Sequence, residues 1–116
     1  MKMVIIIRKD LQMRKGKMIA QGSHASDSAI SNSREIDLEE WREEHFSKKI
    51  VLYVNSEDEL ISLFKDASNQ NNLNVSKLII DEGFTEFNGV KTATSFAIGP
   101  NIDEFVDKIS KNLKLL

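Results

Sequence analysis

The chain has 116 residues, 41% hydrophobic and 29% charged, with a net charge of −2 and no cysteine. That length suits a single domain over 1–116 with its own core, and the lack of cysteine excludes disulfides and thiolate-bound metals. No segment approaches the ~20 apolar residues of a membrane helix, and the apolar run at 3–7 is too short for a signal core, so a soluble intracellular protein is expected.

Residues 3–9, MVIIIRK, read as a buried strand, followed by a loop over 10–15. A helix is expected over 16–31. Along it Lys17, Gln21, His24 and Ser28 recur at spacings of four, three and four, which places them on one stripe. Small residues flank that stripe, and Ala20, Ala25 and Ala29 predict close approach to a sheet. A second helix over 37–46 carries Leu38, Trp41 and His45 opposite an acidic face of Glu39, Glu40, Glu43 and Glu44.

Residues 49–54, KIVLYV, have strand composition. Ser56 and Glu59 form a capping box for a helix whose apolar face is Leu60, Phe64 and Ala67. Strands are expected over 75–81 and 91–98, with Gly99-Pro100 stopping the second. Asn101 is expected to cap a last helix, with Glu104 at the capping-box position and a buried stripe of Ile102, Phe105, Val106 and Ile109. The order is strand-helix-helix-strand-helix-strand-strand-helix. It implies an α/β fold with three α/β/α layers and a mixed sheet of about four strands.

Charge is unevenly placed. Residues 1–17 hold Lys2, Arg8, Lys9, Arg14, Lys15 and Lys17 against Asp10 alone, a basic end on an acidic body. Lys15 and Lys17 flank the start of the first helix, where free N–H groups and the helix dipole favour an anion. One glycine, and no Ser or Thr after the lysine, argue against a nucleoside triphosphate loop. His24 and His45 are the only histidines and lack zinc-site spacing. Asp81 ends a strand, where α/β sites form, and Thr85 follows in a turn with Gly83; a plain turn cap is the alternative reading for Asp81.

These residues together resemble a known family. RKDLQMRKGKMIAQGSHA at 8–25, DEGFT at 81–85, FAIGP at 96–100 and NLKLL at 112–116 resemble, in order, the motifs of the archaeal and eukaryotic type of peptidyl-tRNA hydrolase. The resemblance spans the chain. It implies a cytoplasmic esterase that frees tRNA from a peptide or N-blocked amino acid, needs no cofactor and no metal, and forms homodimers. Carried over by motif, Lys15, His24, Asp81 and Thr85 are the implied catalytic residues. Arg8, Lys9, Arg14 and Lys17 are the implied tRNA contacts, with Gln21 and Thr94 beside them as substrate-binding residues.

Glu82 and Phe84 stand where the family has alanine and commonly arginine, and Ser95 stands at a usually apolar strand position. Glu82, Phe84 and the acidic middle of the chain favour the alternative, a non-catalytic RNA- or protein-binding module of the same fold.

Overall fold

The computed structural model describes residues 1–84 and 86–116. The elements are β1 (Lys2–Arg8), α1 (Lys15–Ser31), α2 (Glu35–Glu44), β2 (Lys49–Val54), α3 (Glu57–Ser68), β3 (Ile79–Asp81), β4 (Thr92–Asn101), α4 (Asp103–Ser110) and β5 (Lys114–Leu115).

β1 is apolar at successive positions because helices cover both of its faces. Val4 and Ile6 point to one side, into a core with Leu60 and Ala67 of α3 and Val106 of α4. Met3, Ile5 and Ile7 point to the other, against Ala25 and Ala29 of α1 and Leu38 and Trp41 of α2. The result is the expected α/β/α layering. Phe64 of α3 meets Phe96 of β4 edge-on at 5.4 Å.

The sheet is mixed, in the order β3-β4-β1-β2-β5. β1 and β2 run parallel, and β4 runs antiparallel to both β1 and β3. β3 is therefore parallel to β1, so Arg8 and Asp81 end their strands at the same edge of the sheet. That edge is where α/β sheets gather ligands.

The structure corrects several details. Among the described residues there are five strands rather than about four, because Lys114 and Leu115 pair with Tyr53 and Leu52 of β2. The strand expected over 75–81 is regular only over Ile79–Asp81, with Val75 making an isolated bridge to Ile98. Gly99-Pro100 does not stop β4. A register shift between Lys2 and Val4 of β1 gives β4 one extra residue there, and the ladder resumes at Asn101. A bulge is where a strand tolerates a proline.

Asn101 is the last residue of β4, and the residue preceding α4 is Ile102, which lacks a side-chain cap. The Asn101 amide instead donates to the Asn72 carbonyl at 2.7 Å and ties the end of β4 to the loop after α3. Ser56 does cap α3: its Oγ accepts from the Glu59 N–H at 3.1 Å, and the Glu59 carboxylate accepts from the Asn55 N–H. Ala20 is exposed; Gly22 makes the close approach instead. A Cβ on Gly22 would lie 3.3 Å from Ile7 Cδ1, so the glycine lets α1 settle onto β1.

Candidate functional site

α1 turns its polar stripe towards β3 and the start of β4. The Ser28 hydroxyl accepts from the Lys77 N–H at 2.9 Å, which fastens the far end of the stripe to the segment leading into β3. Two turns earlier, Gln21 is buried and Lys17 is largely enclosed. Lys17 Nζ lies 2.6 Å from Asp81 Oδ1, with 17% and 11% of the two side chains exposed. Gln21 Nε2 donates to the same oxygen at 3.3 Å, and the Gly83 N–H donates to Oδ2 at 3.0 Å. Among the described residues, three donors thus surround this carboxylate.

Gly83 is needed for the last of these. Its φ is +83°, and a Cβ there would come within 2.4 Å of the Val90 carbonyl oxygen. The tight return of the chain that aims its N–H at Asp81 has no room for a side chain.

The hydrogen bond from Lys17 is the main reason that the Asp81 carboxyl is held below its ordinary value. The Gly83 N–H and the charges of Lys17 and His24 act in the same direction, and burial opposes them. Asp81 is therefore ionised throughout the neutral range. It is an oriented acceptor and a weak base.

Behind this pair, the Thr94 hydroxyl donates to Gln21 Oε1 at 2.6 Å. That fixes which end of the Gln21 amide faces Asp81. The Ser95 hydroxyl donates to the Gln21 backbone carbonyl at 3.1 Å. Phe87 lies beside Lys17, its ring centroid 5.9 Å from Nζ.

The remaining candidates separate clearly. Lys15 is two residues from Lys17, about 200° around the helix, and borders a different surface. That surface is a groove of about 630 Å³ floored by Ile5, Ile7 and Val51, with Met18, Ile19 and Leu116 on its walls. His24 is exposed one turn beyond Gln21 on the polar stripe, and its influence on Asp81 is electrostatic. Thr85 lies outside the described residues.

Arg8 is buried, and its guanidinium binds the Asp10 carboxylate and the Ala93 carbonyl at 2.8–3.2 Å. Lys9 sits 4.5 Å over the Tyr53 ring. Arg14, 90% exposed, precedes α1 and reaches Glu86 at 3.9 Å. The structure thus brings Lys17, Gln21, Asp81 and Thr94 together, with Lys15 apart from them. The signal for Lys17 was the stripe itself, which includes Lys17 and skips Lys15. The part of Ser95 had one faint signal, a hydroxyl within an apolar strand.

An ionised carboxylate, an ammonium and an amide at one edge of a sheet can orient water and receive negative charge. Comparison with known proteins places the chain in a family. The family model described as peptidyl-tRNA hydrolase PTH2 matches residues 1–116. The peptidyl-tRNA hydrolase of Methanocaldococcus jannaschii is 47% identical over 121 residues, covering 100% of each chain. That of Methanothermobacter thermautotrophicus is 41% identical, again over 100% of each chain. A probable peptidyl-tRNA hydrolase 2 of Dictyostelium discoideum is 41% identical over 98% of this chain and 54% of its own. On this evidence the chain belongs to the PTH2 family of peptidyl-tRNA hydrolases.

Proposed function

We propose that this protein hydrolyses the ester between a peptide, or an N-blocked amino acid, and the terminal ribose of tRNA, and that the Lys17–Asp81 pair is the centre of that reaction. Family membership supports the reaction, and the pair with its three donors carries the choice of residues. The Asp81 carboxylate orients a water molecule. The water oxygen attacks the ester carbonyl carbon, and the Lys17 ammonium stabilises the oxyanion that forms. The bond to the ribose oxygen then breaks, and that oxygen takes a proton. The products are a free peptide carboxylic acid and a tRNA with its terminal hydroxyl restored.

His24, on the same stripe, is suited to deliver that proton or to hold the substrate. Thr85 is proposed as a further site residue from its motif alone. Arg14 stands just before α1, where no acidic side chain occupies the first turn, and with Lys9 would meet the tRNA phosphates. Arg8 acts indirectly, by bracing the loop through Asp10.

The 116 residues act as one domain in the cytoplasm, and as a homodimer formed through the groove beside Lys15. Ile19, 69% exposed at the groove wall, supplies an apolar anchor. Lys15, Lys49 and Asp27 around the groove let a two-fold related copy place opposite charges across the contact.

The test is hydrolysis of N-acetyl-aminoacyl-tRNA beside unblocked aminoacyl-tRNA, with wild type and Asp81→Ala. Release from the blocked substrate only, lost in the variant, supports the reading. Salt-sensitive tRNA binding without release at high enzyme concentration would replace it with a non-catalytic RNA-binding module.

A further inference from the structure

We infer that Ser95 is a positioning residue for the Lys17–Asp81 pair, acting through Gln21. The catalytic consequence rests on the hydrolase reading above; the structural one rests on geometry alone. The observation is a break in the alternation of β4. Ile79 of β3 pairs with Ser95, and Ile80 pairs with Ala93, so Thr94 is an extra residue on β4. In a regular strand Thr94 and Ser95 would point to opposite faces. Here both hydroxyls reach α1, while Ala93 and Phe96 on either side both enter the opposite core. A bulge re-aims side chains in this way.

Both hydroxyls converge on a single residue. Thr94 holds the Gln21 side chain and Ser95 holds its backbone. The helix does not need the second bond, because the Gln21 carbonyl already belongs to the α1 ladder and uses its spare lone pair. What the bond fixes is the height of Gln21 above the sheet. That height matters because the Gln21 bond to Asp81 is 3.3 Å long, at the weak end of the useful range. A small outward movement of α1 would lose it, whereas the 2.6 Å contact from Lys17 could follow by rotation of its flexible stem. Ser95 is fully buried with Ile7 and Ile79 as its strand neighbours, so its hydroxyl stands in largely apolar surroundings. The hydroxyl is thus placed where positioning, more than packing, calls for it.

The experiment uses the full chain and four variants: Ser95→Ala, Ser95→Cys, Gln21→Ala and Ser95→Ala with Gln21→Ala. Two readouts are taken: steady-state hydrolysis of N-acetyl-aminoacyl-tRNA, and NMR titration of the Asp81 carboxyl with the Gln21 amide signals. Ser95→Ala is expected to lower kcat about 5-fold with KM within about twofold. It should also raise the Asp81 pKa, because a hydrogen bond to the charged form is lost, and shift the Gln21 amide signals. Ser95→Cys, which fills the space with a weak donor, should behave like Ser95→Ala, and it decides the matter should the alanine variant unfold. On the Gln21→Ala background Ser95→Ala should do nothing further to kcat. The inference is overturned if the Asp81 titration and the Gln21 signals do not move in the folded Ser95 variants. It is equally overturned if the loss in kcat persists in full without the Gln21 side chain. Should wild type release no peptide, the hydrolase reading falls, and the titration still decides what Ser95 does.

Discussion

The two flanks of α1 treat similar side chains in opposite ways. On one flank Lys17 is enclosed and ion-paired with Asp81, Gln21 is buried with its amide fixed, and Ser28 is bonded to the chain before β3. On the other flank Lys15 borders an open apolar groove where Ile19 is mostly exposed. Both lysines sit in one Lys-Gly-Lys triplet, and the 200° between them gives one a carboxylate and the other a rim. A motif read as a string treats the two lysines as near equivalents. The helix separates them into an electrostatic element and a surface charge.

The sharpest way to break this contrast is at Asp81. Asp81→Asn should lower kcat by about 10²–10⁴ in blocked aminoacyl-tRNA hydrolysis, because the charge that orients water is lost. Lys17→Ala should cost about 10²–10³ in the same assay, against no more than about threefold for Lys15→Ala. Equal losses at the two lysines would erase the distinction between the flanks.

The opposite flank is probed by Ile19→Asp, expected to weaken self-association about 10-fold or more in analytical ultracentrifugation while leaving the Asp81 titration in place. A pH series refines the inner flank. The depressed Asp81 pKa means that its stabilising contribution is present above its ordinary value of 3.8 and is lost as pH falls through the lower folded value. The gap in Tm between wild type and Lys17→Ala should therefore be widest near neutrality and should close in acid, as followed by circular dichroism. The smallest effect is expected at Arg14. Arg14→Ala should reduce the salt slope of tRNA binding by about 0.7–0.9, the share of one phosphate contact.

Much of the fold was readable in the sequence for simple reasons. A short continuous apolar run and capping chemistry are local, so β1, α3 and the Ser56–Glu59 box could be placed from a few residues each. Pro100 misled because a proline ends a regular strand, and only pairing with β1 shows the extra residue that accommodates it. β5 was missed because two residues carry no periodicity of their own, and only the edge of β2 makes them a strand. At the site, the stripe of Lys17, Gln21 and His24 and the strand-end carboxylate of Asp81 were both visible, but the pairing between them was not. Which lysine meets Asp81 depends on the rotation of α1 over the sheet. Gly22 against β1 and the bond from Ser95 of β4 to Gln21 are contacts between α1 and the sheet that no local pattern records.

The bulge in β4 also bears on what the chain could lose. Were Thr94 deleted, Ala93, Ser95 and Phe96 would alternate between the faces as in an unbroken strand, and the ladder with β3 would close without a gap. The fold does not need the residue that orients Gln21. A one-residue deletion there should give a protein that still folds, keeps its core and has lost the Thr94 brace behind its carboxylate, so that architecture and activity can be inherited separately.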